Sequence, residues 1–212
     1  MADGWLKTPS IIDAFKNIKR ADFLTEDSRD LAEENTALAI GHGQTISQPL
    51  VVAFMLELLS PQPGEKILDV GSGSGWTTAL LAQIVSQRGS SNEQFPIPEN
   101  QGKVIAMEIV PGLCGFGMEN VGKYNFLERR IVEFVFGDGS NGYEKEAPFD
   151  KILASASSEE KIPEAWKKQL KVGGKIVAPV GNSIWQITKK GENEFEEIEH
   201  PGFVFVPLIS KQ

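Results

Sequence analysis

The chain is poor in the residues on which most site chemistries depend. Of its 212 residues one is cysteine, Cys114, and two are histidine, His42 and His200. That leaves no internal disulfide, no cysteine pair for zinc and no histidine set beside a nucleophile. Basic residues are in the minority: 21 Lys and Arg against 29 Asp and Glu give a formal charge of −8. Such a balance opposes a phosphate-binding surface and argues against nucleic acid as a partner. Charge interrupts the longest apolar runs well before membrane-spanning length, and MADGWLKTPS lacks the basic start and apolar core of a signal peptide. These absences describe a reduced, metal-free cytoplasmic protein with no membrane partner. The length suits one domain, 1–212, with a small N-terminal addition.

What is present is an alternation of short apolar runs with helix-compatible stretches. Thr8-Pro9 reads as a cap and first-turn proline, followed by Ile11, Ile12, Phe15 and Ile18 at helical spacing. Pro49 to Leu59 reads as a second helix with Ser47 as a possible cap. From Lys66 onward KILDV, KVIAMEI, IVEFVF, FDKILAS and GKIVAPV are bounded by Gly, Pro, Asp or Ser, which predicts a mostly parallel sheet with helices on both faces. SIWQITKK, EFEEIE and FVFVPLI then follow with turn signals and no helix, predicting antiparallel strands at one sheet edge. Residues 88 to 102 are polar, carry two prolines and read as a surface loop. The stretch IGHGQTISQP, residues 40 to 49, has neither the alternation of a strand nor the spacing of a helix.

The strongest chemical signal is ILDVGSGSGW, residues 67 to 76. Glycines at 71, 73 and 75 after an apolar strand let the backbone approach a ligand at the strand's carboxyl end. A dinucleotide fingerprint would need its third glycine where Trp76 stands, and no GK[ST] sequence follows for a nucleoside triphosphate. Two further strands also end on acids. Glu108 offers two oxygens to a ribose diol, and Asp138, between Gly137 and Gly139, can accept from an adenine amino group. The plainer readings are a solvent carboxylate for Glu108 and a turn for Asp138-Gly139. With Asp69 they make three acidic strand ends in succession, an adenosine pocket without a phosphate grip, which suits the cationic cofactor S-adenosyl-L-methionine.

GHGQTISQP, LDVGSGSG, MEIVP, GDGSNGY with EAPFDKI, and LKVGGKIVAPVG with Gln186 together resemble the motifs of the protein-L-isoaspartate (D-aspartate) O-methyltransferases, over nearly the whole chain. The resemblance implies an α/β, class I S-adenosylmethionine-dependent methyltransferase fold. Its sheet would be Rossmann-like, mostly parallel and seven-stranded, with an antiparallel C-terminal edge and a short N-terminal helical addition. Residues 1–60 would form the helical segment and active-site cover, and 61–212 the core. The implied activity is repair: a methyl group passes to the free α-carboxylate of isoaspartyl residues in damaged proteins, and the ester closes to a succinimide that can reopen to aspartate. The implied product is S-adenosyl-L-homocysteine, and the implied partners are isoaspartyl proteins and peptides; separately from the resemblance, a monomer is expected.

Carried over by position, Gln44, Thr45, Ile46 and Ser47 would line the cofactor and substrate site, with Ser47 presented to the acceptor. Gly71, Ser72 and Gly73 would contact the methionine portion, Glu108 and Ile109 the ribose and ring, and Asp138 with Gly139 the adenine; Asp69 joins the set as the first acidic strand end. The chemistry is consistent with the absence of a base: a carboxylate with a pKa near ~3.5 is already ionised at neutral pH, so positioning rather than proton removal is required. SASSE, residues 155 to 159, departs from the hydroxyl, alanines and proline of the family pattern, and Leu50 stands where an aromatic is common. These departures keep two alternatives open: a methyltransferase with another carboxylate or small-molecule acceptor, and a non-catalytic S-adenosylmethionine-binding protein.

Overall fold

The computed structural model describes residues 6–86 and 101–210. Trp5 and nearly all of the expected 88–102 loop lie outside them. The chain opens with α1 (Pro9–Asn17) and two 3-10 turns, Arg20–Phe23 and Glu26–Leu31, then a two-stranded hairpin of β1 (Leu38–Gly41) and β2 (Gln44–Ile46), then α2 (Pro49–Leu59). The alternating part follows as β3 (Lys66–Val70), α3 (Trp76–Val85), β4 (Lys103–Glu108), α4 (Pro111–Gly122), β5 (Val132–Phe136), β6 (Phe149–Ala154), α5 (Glu164–Gln169) and β7 (Leu170–Val180). The hairpin strands β8 (Ser183–Lys189) and β9 (Phe195–Pro201) complete the sheet.

Seven strands lie in the order β5-β4-β3-β6-β7-β8-β9, parallel from β5 to β7 and antiparallel across β7/β8 and β8/β9. The inner strands β3, β4 and β6 read as nearly unbroken apolar runs because both of their faces are covered. Ile67, Val104, Ala106, Leu153 and Val177 point into one core with α1, α2, α3 and α4. Their neighbours Leu68, Ile105, Ile152 and Ile176 point into a second core with Trp166 of α5. The helices after β3 and β4 thus share one face and the helix after β6 takes the other. Strand order therefore reverses beside β3, and a crevice opens at the carboxyl ends of β3 and β6, where open α/β sheets place ligands.

Two expectations at helix starts are corrected. Thr8 is the N-cap residue and Pro9 opens α1 as expected, but the Thr8 side chain makes no capping bond; its hydroxyl donates to Glu57 Oε2 at 2.8 Å, while Glu57 Oε1 accepts from the N–H groups of Lys7 and Thr8. A carboxylate on α2 thus satisfies the start of α1. Ser47 does not cap α2 either: Gln48 is the N-cap residue without a side-chain bond, and the Leu50 N–H donates instead to Asn35 Oδ1 at 3.0 Å. FVFVPLI is a third correction, because residues 203 to 209 form no strand and only Pro207 makes an isolated bridge, to Ser157. Its alternation has another cause. Phe203 and Phe205 pack on the core and Phe203 stacks on Phe54 at 5.3 Å, while Val204 is 86% exposed. The segment crosses the top of the sheet rather than extending its edge.

Candidate active site

The glycine loop after β3 is tied down by its own backbone. The N–H groups of Gly71 and Ser72 both donate to Met107 O, at 2.9 and 3.0 Å, and that of Gly73 donates to Glu108 Oε2 at 2.8 Å. Positive φ at Gly71, Gly73 and Gly75 makes this path possible. At Gly75 there is no room for a side chain either, since a Cβ would lie 2.8 Å from Val121 Cγ2 and 2.9 Å from Gly117 O on α4. With its first three N–H groups engaged, the loop does not present the ring of donors that cradles a phosphate. It offers glycine surface and the Ser72 hydroxyl, which is buried without a partner among the described residues.

Glu108 closes the next side. Its Oε1 accepts from the N–H groups of Ile109 and Val110, both at 2.9 Å. With Gly73 this makes three bonds, so the side chain, 5% exposed, joins the two strand-end loops. A carboxylate accepts about four hydrogen bonds, which leaves one acceptor position for a ligand hydroxyl.

The stretch IGHGQTISQP proves to be mostly hairpin. His42 and Gly43 form a two-residue turn with φ of 54° and 72° between β1 and β2, the left-handed pair that hairpin twist favours, here with His in the position more often held by Asn. The tip sits against α4, where a Cβ at Gly112 would overlap the His42 ring. Arg20 holds the base. Its Nη1 donates to Ala32 O and Glu34 O at 3.1 and 3.0 Å, and its Nη2 to Thr36 O and Ser47 O at 2.7 and 3.2 Å. Thr36 and Ser47 flank the hairpin, so one cation ties both stems together. The same guanidinium lies 5.4 Å from the Trp76 ring centroid, and burial lowers its pKa from the usual arginine value.

Loop, carboxylate and hairpin enclose one cavity. Among the expected site residues, Gln44, Thr45, Ile46, Ser47, Gly71, Ser72, Gly73, Glu108, Ile109 and Gly139 line it; Asp69 and Asp138 do not. Asp69 is wholly buried below the loop, where its Oδ2 accepts from Thr78 Oγ1 at 2.6 Å and Thr77 Oγ1 at 3.3 Å, and burial pushes its carboxyl up to about 6. Asp138 accepts from Ser140 N–H at 2.9 Å and so caps a 3-10 turn, with Gly137 and Gly139 on either side in the cavity wall. Trp166, fully buried, supports that wall by donating its Nε1–H to Gly139 O at 2.8 Å.

Several lining residues were not anticipated. Trp76 packs on Phe15, yet it also lines the cavity, and its Nε1 is buried without a partner among the described residues. Ile40, Ser155, Ala156 and residues 206 to 209 also line it. A second cavity of about 300 Å³ adjoins the first, and the residues common to both are Thr45, Ser47, Ser155 and Val206. The lone thiol, Cys114 on α4, has its pKa raised by burial and by Glu108, which removes it as a neutral-pH nucleophile.

An open sheet in this order, with a glycine loop after β3 and an acid at the tip of the neighbouring β4, is the class I S-adenosylmethionine-dependent methyltransferase fold. A family model described as Protein-L-isoaspartate(D-aspartate) O-methyltransferase matches residues 1–212. The chain belongs to the protein-L-isoaspartate (D-aspartate) O-methyltransferase family. A protein-L-isoaspartate O-methyltransferase of Methanopyrus kandleri is 38% identical over 213 residues, 99% of this chain and 87% of that protein. One from Aeropyrum pernix is 38% identical over 98% of this chain and 75% of its own length. A Plasmodium falciparum protein of the same description, crystallised with S-adenosyl-L-homocysteine, is similar at a TM-score of 0.81 and 25% identity, across 97% of this chain and 93% of that one.

Proposed function

We propose that the chain transfers a methyl group from S-adenosyl-L-methionine to the free α-carboxylate of isoaspartyl residues in proteins and peptides. In this reading residues 1–60 serve as cover and 61–212 as the cofactor-binding core of one unit. Family membership supplies the class of reaction. The observation that carries the reading to this chain is Ser47: its hydroxyl is not used to cap α2, and it stands in the wall shared by the two cavities.

The cavity fits the cofactor on its own chemistry. Its glycine loop has no phosphate nest, Glu108 keeps one acceptor position for a hydroxyl, and the buried Ser72 Oγ and Trp76 Nε1 are two polar groups awaiting a polar ligand. We assign Gly71, Ser72 and Gly73 to the methionine portion, Glu108 and Ile109 to the ribose and ring, and the 137–139 turn to the adenine, with Asp138 shaping that turn. Asp69 acts from beneath, as a buried acid supporting the loop through the start of α3. S-Adenosyl-L-methionine, when bound, supplies a sulfonium methyl group and leaves as the neutral thioether S-adenosyl-L-homocysteine.

The chain's own residues bind, orient and exclude water. No base is required, because the acceptor is already a carboxylate at neutral pH. Ser47 Oγ–H holds one carboxylate oxygen and leaves a lone pair of the attacking oxygen free to align. Gln44, Thr45 and Ile46 keep the hairpin over the reacting atoms, and Arg20 keeps Ser47 at its base.

The test is label transfer from a methyl-labelled donor to an isoaspartyl peptide and to its aspartyl twin. Base-labile label in the isoaspartyl peptide alone supports the proposal. Label in both peptides, or in another carboxylate or a small molecule instead, indicates a different acceptor; cofactor binding with no transfer indicates a non-catalytic binder. Among the described residues no helix is long and apolar enough to cross a membrane, and we take a monomer as the working state.

A further inference from the structure

We infer that Ser155 is a second acceptor-binding residue, whose hydroxyl holds the substrate carboxylate together with Ser47; the inference rests on the isoaspartyl reading above. Ser155 follows directly on β6, and its N–H donates to Val70 O at 3.0 Å, which pins it at the end of β3 where the strand order reverses. It is half-buried and lines both cavities.

The surrounding segment is held without its side chain. Ser157 N–H donates to Val206 O and Leu208 N–H to Ser157 O, both at 2.8 Å, and Ser158 N–H donates to Pro179 O at 3.1 Å. Ser157 Oγ is spent on the carbonyls of Ser158 and Gly181, and the Ser158 side chain is buried away from both cavities. Of the three serines in SASSE, only Ser155 therefore presents itself to the junction.

The chemistry calls for a second contact. A carboxylate held by one hydroxyl still swings about that hydrogen bond, and its attacking lone pair sweeps away from the line of transfer. A second donor from a different chain segment fixes the carboxylate plane. Ser47 comes from the end of the hairpin and Ser155 from the end of β6. Thr45 also borders both cavities, but it is exposed on the hairpin and is the less constrained of the three.

The experiment compares wild type, Ser155→Ala and Ser155→Thr with an isoaspartyl peptide under steady-state conditions, and measures the S-adenosyl-L-homocysteine Kd of each by calorimetry. Loss of one charge-assisted hydrogen bond predicts that Ser155→Ala lowers kcat/KM by about tenfold, mainly through peptide KM. The Kd should stay within about twofold, and Ser155→Thr, which restores a hydroxyl, should recover to within about threefold. An unchanged kcat/KM in Ser155→Ala overturns the inference and leaves the proposed function standing. So does a loss matched by weakened S-adenosyl-L-homocysteine binding, or a threonine variant as impaired as the alanine one. A wild type that does not methylate the isoaspartyl peptide overturns both.

Discussion

Replacing Arg20 by lysine keeps the charge and most of the stem but removes the fork. In the structure two nitrogens reach four carbonyls, those of Ala32, Glu34, Thr36 and Ser47. An ammonium donates from one point and cannot span both pairs, so at least two carbonyls lose their partner. Glu34 and Thr36 lie in exposed segments and can turn to water, whereas Ala32 is buried and Ser47 half-buried. At about 1–3 kcal/mol per buried unsatisfied group, and with the contact to Trp76 weakened, we expect a net loss of about 2–3 kcal/mol. For a chain of this size that lowers Tm by roughly 5–10 °C. Because Nη2 bridges the two stems of the hairpin, activity should fall further than folding does. At a temperature where Arg20→Lys is fully folded, kcat for the isoaspartyl peptide should drop about tenfold, with S-adenosyl-L-homocysteine affinity changed less. Urea unfolding and steady-state methyl transfer measure the two quantities. Stability within about 0.5 kcal/mol of wild type together with unchanged kcat would refute the clamp.

Three further outcomes are expected. Ser47→Ala should lower turnover by roughly ten- to a hundredfold, as loss of one hydrogen bond to a charged acceptor, while calorimetry shows S-adenosyl-L-homocysteine affinity nearly unchanged; normal turnover would remove Ser47 from the mechanism. Asp69 has its carboxyl raised to about 6 by burial, so the folded state holds a proton that the unfolded chain has already released. Its charge accordingly costs nothing below about pH 4, a growing amount between about pH 4 and 6, and at most about 3 kcal/mol above that. Asp69→Asn should then gain about 1–3 kcal/mol at pH 7.5 and show less loss of stability as pH rises from 4 to 6, measured by urea unfolding across pH; equal or lower stability at pH 7.5 contradicts this. Gly112→Ala should push the His42 ring from its seat at a cost under about 1 kcal/mol, since His42 is exposed and can swing away. It should also speed S-adenosyl-L-homocysteine release several-fold in stopped-flow measurements, and an unchanged off-rate would show that the hairpin tip does not retain the ligand.

The inner part of the sheet was legible in the sequence because β3, β4 and β6 are buried on both faces. KILDV and KVIAMEI carry apolar residues at successive positions, and Ile67/Leu68 and Val104/Ile105 serve opposite cores. Glycines 71, 73 and 75 were legible as a turn after a strand and Glu108 as an acid at a strand end; only their succession with the other motifs along the chain pointed to a ligand. What was hidden depends on partners distant in sequence. Thr8 and Ser47 look like caps locally, but Glu57 and Asn35 do that work from elsewhere. The alternation in FVFVPLI was real, yet it records packing of Phe203 and Phe205 rather than pairing. The hairpin escaped notice because a histidine at positive φ is not a common turn signal. Arg20 carries no local signal in the sequence, and only the fold brings the carbonyls of Ala32, Glu34, Thr36 and Ser47 around it.

A crystal structure of this protein with S-adenosyl-L-homocysteine and an isoaspartyl peptide tests the account most directly. The sulfur should face the wall between the two cavities, with the peptide's free α-carboxylate within hydrogen-bond distance of Ser47 Oγ and Ser155 Oγ. A carboxylate bound away from both serines, or a nucleoside lying outside the space bounded by Gly71, Gly73, Glu108 and Gly139, would contradict it.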